Sequence, residues 1–173
     1  MDTLNSTMTA LFIWINSHLG LIGADYQIPP YFPEIKFVPQ KELAQKVCNK
    51  PCPVIGWYPT KAQIQGKEIL YFIEGIDPIN NLCIRTIFLH ELVHFWQDYN
   101  NAFEDTSDSE KVKFTYKESQ ATQLENIYRA HEYKRYRKKH GTYYKPKCCK
   151  DIVFGRCVND PGWIDQLIRK NKK

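Results

Sequence analysis

The chain has 173 residues, 43% of them hydrophobic and 14% aromatic, which suits one compact domain with a core of its own. Its net charge of +5 is concentrated between Arg129 and Lys150, where nine Lys or Arg stand against one acid, Glu132. A charge-dense helix is more often a solvated face than a nucleic-acid contact. We therefore expect a single domain over residues 1–173, a monomer, and no nucleic-acid partner.

The N-terminal region contains an apolar run at residues 10–15. This run lacks the basic flank and the small-residue cleavage site of a signal peptide, and it is too short to span a membrane. We predict an amphipathic helix over residues 6–19, capped by Ser6 or Thr7 and ended by Gly20. An exported protein would then have lost its leader ahead of this sequence.

The next stretch predicts a small sheet with one short helix between its strands. Alternating apolar residues and polar breaks give a strand at 34–38, a helix at 40–47, and strands at 53–58 and 68–73. Gly66-Lys67 suits a turn between antiparallel neighbours, and residues 62–65 extend the strand before it. If strand 68–73 is the edge beside the next helix, it can pair with an extended peptide. The order of elements is α+β, with a small antiparallel or mixed sheet.

An HExxH motif lies in the apolar run Ile87 to Gln97, which has no Gly or Pro and predicts a buried helix. Residues four apart share one face of a helix, so His90 and His94 can bind the same metal ion. Glu91 lies beside them, where a carboxylate can act as general base. The motif also occurs by chance, but burying these three groups is costly unless an ion satisfies them. The run therefore predicts a site for one Zn²⁺ ion per chain.

A second, longer helix is predicted from about Val112 to Lys139, because this stretch has no Gly or Pro and Gly141 follows it. Between the two helices lies the acidic stretch Glu104 to Glu110. It lacks the spacing of a calcium-binding loop, so we expect it to be mobile and solvated. It is long enough for the two helices to lie antiparallel.

The third metal ligand is expected on this second helix. A catalytic zinc site takes three protein ligands and leaves one position for water, and position 100, where a third histidine could stand, is Asn. Glu118 lies 24 residues beyond His94, within reach of a returning helix. Glu125, two turns further on the same face, is the alternative ligand or a carboxylate that supports one.

Six cysteines stand at positions 48, 52, 83, 148, 149 and 157. The segment Cys48 to Cys52 and the last three cysteines lie in loop-like sequence, which favours disulfides and an oxidising compartment. The spacings lack the paired CxxC form of a structural zinc site, and fifteen pairings remain open. Cys83 could be a buried thiol. Residues 141–173 are expected to form a basic, Cys-containing extension packed on the domain.

His90-Glu91-x-x-His94 followed by a glutamate on the next helix resembles the gluzincin arrangement of zinc metallopeptidases. Further runs extend the resemblance over most of residues 8–130. They are Glu34-Ile-Lys-Phe-Val38 with Glu42-Leu-Ala44, His90-Glu-Leu-Val-His-Phe-Trp-Gln97, and Glu118-x-x-Ala121-x-x-Leu124-x-Asn126. Together they are similar to a group of small, uncharacterised bacterial zincin-like proteins that are generally exported.

The resemblance implies a minimal zincin fold, in which a small sheet borders a cleft, one helix carries the HExxH residues and a second helix donates Glu118. It also implies a zinc-dependent metallopeptidase that acts on peptides, proteins or envelope material in the periplasm or outside the cell, although a cytoplasmic location stays open. Two features depart from the family. Position 122 is Thr where many gluzincins have an Asp, and the tail after Lys139 has no counterpart.

In the expected mechanism, zinc held by the two histidines and Glu118 activates a water, and Glu91 moves its proton to the leaving amine. Candidate donors to the developing oxyanion are Tyr116, Tyr128, His131 and Tyr133. The alternative function is a non-catalytic, zinc-stabilised binding module that holds a partner through its basic tail. Glu91 favours the enzyme, because a structural metal site needs no general base.

Overall fold

The computed structural model describes residues 3–59, 63 and 66–140. Within these residues the architecture is α+β, as the sequence predicts. The elements are α1 (Thr3–His18), a 3₁₀ helix (Leu19–Ile22), β1 (Glu34–Val38), α2 (Gln40–Cys48), β2 (Gly56–Trp57), β3 (Ile69–Ile73), α3 (Leu82–Tyr99) and α4 (Glu110–His140). The predicted strand extension at 62–65, apart from residue 63, and the extension at 141–173 lie outside the described residues.

Helix α3 lies at the centre of the core, with twelve of its 18 residues buried, so it packs on several sides at once. It begins after Asn81, whose side chain accepts hydrogen bonds from two backbone N–H groups of the first turn. Phe88 stacks on Phe72 of β3 with 3.6 Å between ring centroids. Trp96 contacts Phe12 of α1 at 5.1 Å. The sheet and α1 therefore hold α3, and its HExxH residues, in place.

The sheet is mixed and has the strand order β1-β3-β2. β1 pairs with β3 in parallel, and β2 pairs with β3 in antiparallel orientation. Peptide pairing with residues 68–73 required this strand to be the edge beside the central helix, and that condition is not met, because β1 and β2 occupy both sides of β3. The two-residue strand β2 lies at the edge that packs against α3. It is shorter than the predicted strand, and Pro53 ahead of it has no N–H for a ladder.

The end of the first helix differs from the sequence prediction. The chain keeps a helical backbone past Gly20 as a 3₁₀ turn, which ends at Gly23 with φ 68°, a conformation that favours glycine. The predicted caps Ser6 and Thr7 lie inside α1. None of the helices within the described residues combines the length and apolarity needed to cross a bilayer.

Two observations concern the cysteines. Cys48, the last residue of α2, forms a disulfide with Cys52 in the loop that follows, as the sequence of this segment suggests. Cys83 is disulfide-bonded, so the interpretation of this residue as a buried thiol is wrong. Cys83 is buried at the start of α3, and burial is equally compatible with a thiol and with a disulfide. Disulfides of this kind are typical of an oxidising environment.

The acidic stretch before α4 is exposed, as predicted, and its first carboxylate also forms ion pairs. The carboxylate of Glu104 accepts a hydrogen bond from Nζ of Lys117 at 3.1 Å, and Nζ of Lys113 lies 3.8 Å from its other oxygen. The two lysines are one helical turn apart on α4, so both reach back to the same carboxylate. The loop is therefore solvated, and Glu104 attaches it to α4 through exposed ion pairs.

The stack between Phe88 and Phe72 gives a test of how the sheet is attached to α3. We expect Phe88→Ala to lower the free energy of unfolding by about 3–5 kcal/mol, because the change leaves a cavity in the core. Denaturant unfolding measures this value. Ile13→Ala, at a side chain 63% exposed on α1, is the control and should change stability by less than about 0.5 kcal/mol. Equal effects of the two changes would contradict the central role of the stack.

Candidate metal centre

Three polar side chains from α3 and α4 converge on one point. His90 and His94 lie one turn apart on α3, with 3.1 Å between their Nε2 atoms. Glu118 on α4 faces both rings, because its Oε2 lies 3.3 Å from Nε2 of His90 and its Oε1 lies 3.1 Å from Nε2 of His94. The three predicted ligands are therefore brought together, and their potential ligand atoms lie within 4.8 Å of one another.

The geometry of this cluster fits a metal ion. Zinc with bonds of about 2.0–2.1 Å in tetrahedral coordination places its ligand atoms about 3.3 Å apart. The distances of 3.1–3.3 Å in the cluster match that spacing. Two imidazole nitrogens and a carboxylate also form the donor set of many catalytic zinc sites, which keep a fourth position open. The three side chains can therefore hold a metal ion, and their chemistry suits zinc.

The electrostatics of the cluster favour a positive charge. Burial alone would lower the pKa of His90, but the carboxylates of Glu118 and Glu125 raise it above its ordinary value. Burial would raise the pKa of Glu118, but hydrogen bonds to His90 and His94 hold it well below the usual range. The pKa of Glu91 is raised by burial, against the opposing effect of the two imidazoles. A cation at the meeting point would satisfy the same charges.

Gln97 orients the ring of His94. Its Oε1 lies 2.9 Å from Nδ1 of His94, and its Nε2 donates to the carbonyl of Lys117 at 2.9 Å and to Oε1 of Gln120 at 3.2 Å. Because the amide NH₂ is engaged with α4, the carbonyl oxygen must accept the Nδ1–H of His94. The lone pair of His94 is then on Nε2, which faces the cluster. Sequence reasoning missed this residue, although a Gln in a buried run was a visible signal.

Glu125 faces the far nitrogen of His90. Its Oε2 lies 3.3 Å from Nδ1 of that ring, although Nδ1 has no partner with hydrogen-bond alignment. Its other oxygen accepts a hydrogen bond from Arg129. Glu118, which contacts both Nε2 atoms, is therefore placed as the candidate third ligand. Glu125 is placed behind His90, where its carboxylate can support that ring. Thr122, at the position where gluzincins often have an Asp, is exposed.

Glu91 points from α3 towards the edge of the sheet. Its Oε2 accepts a hydrogen bond of 2.9 Å from the backbone N–H of Tyr58, just after β2. Gly56 permits this close approach, since a Cβ there would lie 2.7 Å from the ring of Phe72 and 3.2 Å from Cγ of Glu91. The absence of a side chain at this position therefore lets β2 come close to the HExxH residues.

The cluster opens into a cleft of about 380 Å³ between β2, α2 and α4. Besides the four site residues, its walls include an ion pair, Asp98 with Lys117, and apolar side chains from three elements. The four predicted oxyanion donors do not line it. Tyr128 instead packs against Trp14 of α1, and Tyr116 contacts Phe103. The prediction is wrong because three of these residues lie at least ten residues, about 15 Å, beyond Glu118 along α4. Tyr116 is near Glu118 in sequence but leaves the helix on another face.

Comparison of the chain with models of known protein families, with curated proteins and with solved structures found no match. The resemblance to gluzincins therefore stays a prediction from the motifs. Function is therefore inferred from the geometry of the cluster and of its cleft.

The two glutamates of α4 can be separated by metal binding. We expect Glu118→Ala to abolish stable zinc binding, as His94→Ala should, because each change removes an atom of the triangle. Glu125→Ala should weaken zinc binding by about 10–100-fold, since it removes only the support of His90. Elemental analysis and competition with a chelator measure both effects.

Glu110→Ala is the control for this comparison, because that carboxylate is exposed at the start of α4 and, among the described residues, forms an ion pair with Lys113 alone. It should leave the zinc affinity unchanged. If zinc is retained in Glu118→Ala but lost in Glu125→Ala, then Glu125 is the third ligand and Glu118 has the supporting role.

Proposed function

We propose that the protein is a zinc-dependent, gluzincin-like metallopeptidase that binds one Zn²⁺ ion through His90, His94 and Glu118. The observation that carries the proposal is the triangle of Nε2 and carboxylate atoms with sides of 3.1–3.3 Å, open to a cleft. A fourth polar residue, Glu91, lies in the same cleft but outside the triangle. A purely structural site would have no use for this additional carboxylate.

The residues of the chain have separate tasks in this proposal. Zinc bound at the triangle would lower the pKa of a water molecule and polarise the carbonyl of a peptide bond. Glu91 takes a proton from the attacking water on Oε1, because its Oε2 is held by the N–H of Tyr58. It then passes the proton to the leaving amine, and a carboxylate and an amine are formed. Gln97 and Glu125 keep the two imidazoles in orientation.

The edge of the sheet suits an extended peptide. The carbonyl of Ile55 accepts a hydrogen bond from the N–H of Ile73 on β3 at 3.0 Å. Backbone groups alternate in direction along a strand, so the N–H and C=O of Gly56 point away from β3, as the N–H of Tyr58 does. A substrate backbone paired with this edge would run past Glu91. In this proposal β2, rather than β3, aligns the substrate.

The location proposed for this activity is the periplasm or the exterior of the cell. The disulfide between Cys48 and Cys52 supports it, because disulfides persist in oxidising compartments. The disulfide joins the end of α2 to the loop that leads to β2. The same loop carries the chain to the edge where the substrate is proposed to align.

The general base gives the test of this function. We expect Glu91→Gln to lower kcat by about 10²–10⁴-fold, because the amide cannot accept the proton, while one zinc per chain is retained. Cleavage of labelled casein and of a peptide mixture, followed by mass spectrometry, measures the activity, and elemental analysis measures the zinc. Turnover that survives the change would remove Glu91 from the mechanism. Zinc without turnover in the wild type would favour the binding-module alternative.

A further inference from the structure

The cleft beside the metal cluster has an apolar wall made of Val47 on α2, Trp57 on β2 and Phe114 on α4. Val47 is 39% exposed and Phe114 is 57% exposed, which is high for large apolar side chains. Three separate elements therefore present apolar surface to one small cavity. A single exposed apolar residue is common, but convergence of this kind beside polar site residues is typical of a ligand pocket.

Neighbouring side chains hold Trp57 in position. Its indole stacks on the ring of Tyr71, with 5.6 Å between centroids and 28° between planes. Nζ of Lys46 lies 5.7 Å from the centroid of Tyr71, on a cation–π contact. The indole thus forms a fixed surface that needs no rearrangement to receive a planar or bulky group.

The charges around the cleft disfavour an acidic ligand. The ammonium group of Lys117 lies 3.1 Å from the carboxylate of Asp98 and 3.1 Å from that of Glu104, so two anions neutralise it. Glu91 and Glu118 add further negative charge to the same cavity. Among the described residues of the wall, no basic side chain is left to form a salt bridge with an acidic ligand side chain. This holds even with a divalent cation bound at the triangle.

We propose that this wall is the subsite for a large apolar side chain, preferably an aromatic one, next to the peptide bond that is cleaved. The inference rests on the proposed peptidase function and names its substrate class. A volume of about 380 Å³ lies at the small end of ligand clefts, so it suits a side chain of an extended peptide rather than a folded domain. Trp57 provides the ring face, and Val47 and Phe114 close the sides.

Amino acid hydroxamates test the subsite without turnover, because the hydroxamate group anchors to zinc and the side chain samples the wall. Calorimetry on the zinc-loaded protein would compare the N-acetyl hydroxamates of Phe, Ala and Glu. We expect the Phe compound to bind about 10–100-fold more tightly than the Ala compound, and the Glu compound to bind no better than Ala. Trp57→Ala should remove the preference for Phe, so that the Phe compound binds no more tightly than the Ala compound.

Phe114→Ala is the second variant, because its exposed side chain can be removed without opening the core, and it should reduce the same preference. Phe37→Ala is the control, since this exposed aromatic residue lies on β1, outside the cleft, and should keep the preference. Equal affinities of the three compounds, or no binding of any, would overturn the inference. Equal affinities together with peptide hydrolysis that depends on Glu91 would leave the proposed function intact.

Discussion

The polar side chains of the HExxH motif lie on the buried helix α3, and their burial costs free energy. Polar side chains of α4 face them and offset this cost. Glu118 contacts both imidazoles of the motif, and Glu125 faces the remaining nitrogen of His90. Gln97 completes the contact, because it joins His94 to the backbone of α4. The packing of α3 on α4 is thus a polar arrangement inside an apolar core, and the position of every predicted ligand depends on it.

The other side of the site is built by the sheet. Phe72 of β3 stacks on Phe88 and fixes the distance between the sheet and α3. β2 then runs close enough for the N–H of Tyr58 to hold Glu91, and Gly56 provides the space. The ligand side chains and the proposed base therefore receive their orientation from different elements. Helices position the candidate metal ligands, while the sheet edge positions the proposed base.

Much of the fold and of the site could be predicted from local patterns. The strand at 34–38 and the two long helices follow from periodicity and breaks, and Glu118 follows from the length of the returning chain. The position of β3 could not be predicted, because parallel pairing with a strand more than thirty residues earlier leaves no local signal. The separate positions of Glu118 and Glu125 depend on the rotation of α4, which spacing alone does not fix. Most of the oxyanion candidates failed for a different reason, because they lie too far along α4 from Glu118.

The bridge from Gln97 to α4 joins two equilibria. The amide that orients His94 also holds the carbonyl of Lys117, so the affinity for a metal ion and the docking of the two helices share one contact. By linkage, an ion that binds only the docked form at 1,000 times its Kd would stabilise that form by about 4 kcal/mol. Helix docking would strengthen metal binding in return. In a chain of this size, this free energy is a large part of the total stability of the fold. The metal ion would then stabilise the packing of α3 on α4 as well as take part in the chemistry.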